Sequence, residues 1–126
     1  MRAARLGVAE RVRFLPFVAD REELARLYRG AACVVAPGPH ETFGLAVLEA
    51  AASGARVVAC SSTPAAHLAP GLVETFTPRD PHDLGLAIDR ALARPGDVAE
   101  AARLARRLTW SSVFESELRE LERLLR

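Results

Sequence analysis

Residues 33–60, CVVAPGPHETFGLAVLEAAASGARVVAC, leave few folds open to this chain. The apolar run Ala32–Ala36 meets Pro37-Gly38-Pro39, where two prolines around a glycine exclude regular structure. A helical stretch, Phe43–Ser53, follows, with Thr42 as its expected N-cap and Gly54 at its stop. Arg56–Cys60 is a second apolar run. Two unbroken apolar runs of strand length joined by a helix are the pattern of neighbouring parallel strands, each buried on both faces.

The flanking segments extend that pattern. Residues 2–9 read as the tail of a helix closing at Gly7. Arg11–Pro16 alternates apolar and charged side chains and reads as a short strand stopped by Pro16. Asp20 with Glu23 is a capping-box pattern, opening a helix with Leu24, Leu27, Tyr28 and Ala31 on one face. Ser61–Pro64 is loop, Ala65–Leu68 a single helical turn, and Leu72–Phe76 a further strand. Asp80-Pro81-x-Asp83 combines a capping carboxylate, a proline at the first helical position and a second acid facing the dipole. That helix ends at Pro95-Gly96, and Asp97–Leu108 forms the next. Ser112 and Glu115 open a last helix whose buried face is Phe114, Leu118, Leu121 and Leu125. The reading is a single domain over 1–126, α/β, with a parallel sheet, helices on both faces and a helical part at 97–126.

Composition narrows the function. A net charge of +1 does not supply the concentrated basic face of a nucleic-acid binder. No run of about 18 apolar residues is present, and the first residues lack the apolar core of a signal peptide; a cytoplasmic location is expected. Cys33 and Cys60 stand in apolar runs without metal-ligand spacing and are expected as reduced packing thiols. All 17 basic residues are arginine, so no chemistry here rests on a lysine of this chain.

In parallel sheets ligands bind at the carboxyl ends of the strands, where the loop at 37–42 lies. A helix starting near Phe43 leaves the amides of Phe43, Gly44 and Leu45 free to meet a diphosphate, and Gly44 permits close approach. Glu41 precedes that helix, and a rise of ~1.5 Å per residue sets Glu49 roughly 9 Å along it. A carboxylate accepts hydrogen bonds from vicinal hydroxyls, so a pyrophosphate between the two would leave a sugar near Glu41 and a ribose near Glu49. A loop carboxylate and a surface glutamate are the plainer readings of the same two residues.

The quoted motifs resemble one family. Glu41 and Glu49, with seven residues between them, match the E-x7-E signature of the retaining GT-B glycosyltransferases of group 1. HETFGLAVLEAAASGARVVA is similar to that family's core nearly position by position. RVRFLPFV, LARLYRGAACVVAP, TPRDPHDLGLAI and LTW resemble its flanking segments. The resemblance implies the C-terminal, Rossmann-like donor-binding domain, N-terminally truncated. It implies that Glu41 bonds the donor sugar, that the amides of Phe43, Gly44 and Leu45 hold sugar and phosphate, and that Glu49 bonds the ribose. It implies transfer of a sugar from a nucleoside-diphosphate sugar with retention, without metal or other cofactor. The acceptor stays open.

The sequence departs from the family at four places. Two early strands and an Arg/Lys clamp for the diphosphate are expected before Met1, as is an acceptor domain. Arg79 follows a strand end and is the available substitute, although an exposed loop arginine is the plainer reading. Pro16 stands where the family has glycine, and STPAAHL lacks the usual acid, with His67 near its place. His40, His67 and His82 are expected to face solvent. Without the early strands, either Arg11–Pro16 pairs with Ala32–Ala36 or a sheet edge stays open for a second copy or a partner. Two functions remain: the donor-binding portion of a glycosyltransferase, or a non-catalytic nucleotide-sugar-binding or interaction module derived from one.

Overall fold

The computed structural model describes residues 2–125. Its sheet has three strands, β1 (Val34–Ala36), β2 (Val57–Cys60) and β3 (Val73–Phe76), all parallel, in the order β1-β2-β3. Val34 pairs with Val57, and Val57 with Val73. The described residues also form six helices, α1 (Arg2–Arg5), α2 (Arg21–Gly30), α3 (Leu45–Ala52), α4 (Pro81–Ala93), α5 (Val98–Arg107) and α6 (Trp110–Leu124).

Alternation along β2 builds two cores. Val57 and Ala59 join α3, Leu104 of α5 and the 3-10 turn Pro64–Leu68. Val58 and Cys60 face the other way, onto Phe76, Ala87 and Ala91. The sheet is therefore covered on both faces, and all four residues of β2 are buried, as a central parallel strand requires. α4 is stitched to β3 by charge. Glu74 accepts from Arg94 Nη1 (2.6 Å) and Arg90 Nε (3.2 Å), and Arg94 also donates to Gly71 O (2.6 Å). The Arg94 hydrogen bond holds the Glu74 carboxyl below its ordinary value, against the opposing effect of burial, with Arg90 adding to the same side.

Local chemistry sets the helix ends. The Asp20 carboxylate accepts from the amides of Glu22 and Glu23, and Asp80 from those of His82 and Asp83. Gly54 sits at φ +86 after α3, and Ala55 N closes back on Ala50 O (3.1 Å).

Five expectations need correction. Arg11–Pro16 is not a strand: Ala9–Arg11 is a 3-10 turn and residues 12–20 run without ladder bonds. Alternation gives a segment strand character only when a neighbour completes the ladder, and the described residues supply none here. β1 is accordingly an edge, with Val34 and Ala36 half-buried and Val35 exposed, not a strand buried on both faces. α3 begins at Leu45 with Gly44 as its N-cap, two residues after the expected start and without Thr42 as the cap. α6 begins at Trp110, capped by Thr109, whose hydroxyl accepts from Ser112 N (3.2 Å). The apolar stripe of α6 is exposed, because α6 touches mainly α5 and no described element lies across it. Among the described residues no helix is long and apolar enough to cross a membrane.

Candidate functional site at the carboxyl rim of the sheet

The chain leaving β1 and the chain leaving β2 are tied to each other at the carboxyl end. Ser62 Oγ donates to Pro39 O (3.0 Å), and Ala65 N donates to Phe43 O (2.9 Å). These bonds fix the path from Pro37 to the start of α3. Within it Gly44 takes φ +94, a conformation side chains rarely adopt. A Cβ there would stand 2.4 Å from Thr63 Cγ2, so Gly44 is buried against the β2 exit turn. The glycine is thus required for protein packing, where the sequence offered ligand approach as its reason.

Glu41 is exposed in the loop and lies over Gly38: a Cβ on Gly38 would be 3.6 Å from Glu41 Oε1. Glu49, on the first turn after the α3 start, is about 6 Å along the axis from Leu45. Its Oε1 accepts from Nη1 of Arg21 at 2.8 Å. Burial raises the Tyr28 hydroxyl's pKa, and the Glu49 charge adds to it. Arg21 is the first residue of α2, directly after the Asp20 cap. Nothing in the sequence singled out Arg21; the 28 residues between it and Glu49 hide the pairing.

A cleft of about 610 Å³ opens on the outer side of α3. Phe43, Leu45 and Glu49 line it, with Arg21 from α2, Leu108, and Trp110 from the start of α6. Three of the five predicted site residues therefore share one cavity. Glu41 and Gly44 do not line it. The amides of Phe43, Gly44 and Leu45 donate to no protein acceptor among the described residues. A smaller cleft of about 250 Å³ lies at the carboxyl ends of β1 and β3, between Pro37, Pro39 and Arg79. Arg79 is exposed, stands at φ +63 and has no carboxylate partner among the described residues. His40, His67 and His82 are all exposed. Among the described residues no three His, Cys, Asp or Glu side chains gather as metal ligands.

A family profile described as glycosyl transferases group 1 matches residues 1–94. The chain belongs to the group 1 glycosyl transferases. A D-inositol 3-phosphate glycosyltransferase of Frankia alni is 37% identical over 135 residues, covering 98% of this chain and 31% of that protein. Proteins of the same name from Mycolicibacterium gilvum and Streptomyces avermitilis are each 49% identical over 59 residues, 47% of this chain. Those stretches are 13% and 12% of the two proteins. The chain thus spans less than a third of the length of these curated relatives. No solved structure matches.

Proposed function

We propose that this chain is the donor-binding portion of a retaining glycosyltransferase, which takes a sugar from a nucleoside-diphosphate sugar. The observation that carries the reading is the sharing of one cleft, on the outer side of α3, by Phe43, Leu45 and Glu49. Glu49 accepts the ribose hydroxyls. The unpaired amides at the α3 start meet the diphosphate, as helix starts do, and stabilise the charge that develops as it leaves. Glu41, held in the loop before them, takes the hydroxyls of the transferred sugar. Arg21 adds a cation to a site that has no lysine. When a ribose replaces it on Glu49, its guanidinium is free to turn to phosphate. No metal has a part in this scheme, and a cytoplasmic location belongs to the same reading. The relatives' names make a phosphorylated inositol the first acceptor to try.

The Arg21–Glu49 pair also supports a second reading, a binding module without turnover, because the ribose carboxylate is already satisfied by protein. Calorimetric titration of UDP-, GDP- and ADP-sugars against wild type and Glu49→Ala separates the outcomes. Binding lost in Glu49→Ala supports the site. Absence of binding at millimolar donor refutes it. Binding without hydrolysis or transfer selects the module.

A further inference from the structure

We infer that the Arg21–Glu49 ion pair is a latch on the ribose carboxylate, closed in the empty chain and opened by the ligand's own hydroxyls; the inference rests on the donor-binding reading above. Among the residues that line the cleft beside α3, Glu49 is the one acid and Arg21 the one cation. A vicinal diol engages both oxygens of a carboxylate at once, and Arg21 Nη1 already holds Oε1 at 2.8 Å. The guanidinium lines the same cleft, so it stands on the side from which a ligand meets Glu49. Ribose and Arg21 therefore compete for one carboxylate.

The fold presents Arg21 to Glu49 along one face of α2. Tyr28 stands about two turns after Arg21, so the two side chains share that face. Tyr28 is half-buried and packs against the core to which α3 belongs. The Glu49 charge reaches it as well, adding to the rise in its pKa that burial causes. The face of α2 that carries Arg21 is thus the one turned to α3. Among the described residues the guanidinium has no hydrogen-bond partner besides Glu49. The side chain of Arg21 is 79% exposed and that of Glu49 42%. Pairs this open shift an equilibrium by about fivefold at most, and salt weakens them further. A latch of that strength steadies Glu49 in the empty cleft without barring a ribose, and it makes the cost of entry depend on salt.

The probes are uridine, guanosine and adenosine, which bring the diol without a charge, so that losing the Arg21 cation has no phosphate to act on. NMR titrations compare wild type with Arg21→Ala at about 0.02 M and about 0.5 M salt. Arg21→Ala is expected to bind the nucleoside about two- to fivefold tighter at low salt, and the difference closes at high salt. In wild type the Arg21 Nε–H signal, identified by its loss in Arg21→Ala, moves on saturation to the place it takes in Glu49→Gln, where the ion pair is gone. Circular dichroism melts check that each variant is folded, as expected for side chains this open. Equal or weaker nucleoside binding by Arg21→Ala at low salt overturns the latch, and so does an Arg21 signal that stays put. Nucleosides that bind neither form at millimolar concentration overturn it too. UDP-, GDP- or ADP-sugars that still bind wild type in those cases leave the donor site standing. No binding of nucleosides or nucleotide sugars to any form overturns both.

Discussion

Gly44 and Gly54 flank α3 at nearly the same backbone angle, φ +94 and +86, but in different surroundings. An alanine at Gly54 meets nothing within 4 Å, whereas its Cβ at Gly44 would lie 2.4 Å from Thr63 Cγ2 and 3.4 Å from Ala65 Cβ. Both substitutions carry the left-handed backbone penalty of about 1–2 kcal/mol. Only Gly44→Ala adds overpacking, about 1–3 kcal/mol in a well-packed core. Thr63 is fully buried and cannot swing into solvent. The expected loss is then about 2–5 kcal/mol for Gly44→Ala and about 1–2 kcal/mol for Gly54→Ala. Urea unfolding followed at 222 nm measures both, and at ~1–3 kcal/mol per molar the midpoints separate by about 1 M. Thr63→Ser removes the clashing methyl, so Gly44→Ala should be milder in that background, a coupling read by a double-mutant cycle. Equal midpoints for the two alanines, or no coupling to Thr63, would refute the claim that Gly44 is fixed by packing.

Thr63 Oγ1 is buried and has no hydrogen-bond partner, so Thr63→Val, close to it in shape, should gain about 1 kcal/mol in the same urea assay; a loss of that size would reveal an unseen partner. Asp80→Ala frees the amides of His82 and Asp83 and should cost about 1 kcal/mol; an unchanged midpoint would show that water replaces the cap. Glu74 is held below its ordinary value of 4.5, so its contribution is complete above that pH and is lost as pH falls through the folded value. Melting temperatures of Glu74→Gln should therefore fall less between pH 5 and ~3 than those of wild type; parallel curves would contradict the sign. The open edge of β1 and the exposed run Val12–Phe17, where Phe17 is 92% exposed, favour self-association, and Val35→Lys with Phe17→Ser should weaken it in sedimentation velocity. A wild-type monomer well above micromolar concentration would dispose of this expectation.

What could be read from the sequence was whatever a few neighbouring residues decide. Asp20 and Asp80 cap helices because their carboxylates reach amides two and three residues on. Gly54 ends α3 because it alone tolerates the turn, and the apolar run at 57–60 and the shorter stretch at 73–76 form strands because a neighbour in sequence order pairs with each. Arg11–Pro16 has an equally good local pattern and forms no strand, since pairing is a property of two segments. The start of α3 was misread for a related reason. Thr42 has the right chemistry for a cap, but the bonds from Ser62 and Ala65 hold the loop so that the helix begins only after Gly44. At the candidate site, the place of Glu49 on α3 was legible from the helix pattern, while the places of Arg21 and Trp110 were not. Their places beside Glu49 depend on how α2 and α6 pack, which no spacing encodes.

The distribution of apolar surface separates a finished half of this structure from an unfinished one. Around β2, side chains alternate into two filled cores, and β3 is clasped to α4 by Glu74, Arg90 and Arg94. Val35 on the edge strand β1 and Phe14 and Phe17 in the segment before α2 are exposed, and along α6 so are Phe114, Leu118 and Leu121. Burying one such side chain is worth about 1.5–3 kcal/mol, so two exposed groups of three each withhold several kcal/mol from the fold. Residues that must pack for this chain to fold are those near β2. The exposed ones contribute nothing to that core, so their apolar character has no explanation in the packing described. The cleft holding Glu49 stands at the junction, with α3 from the finished half on one wall and α6 on the other. A protein surface laid against α6 would therefore also form part of that cleft's wall.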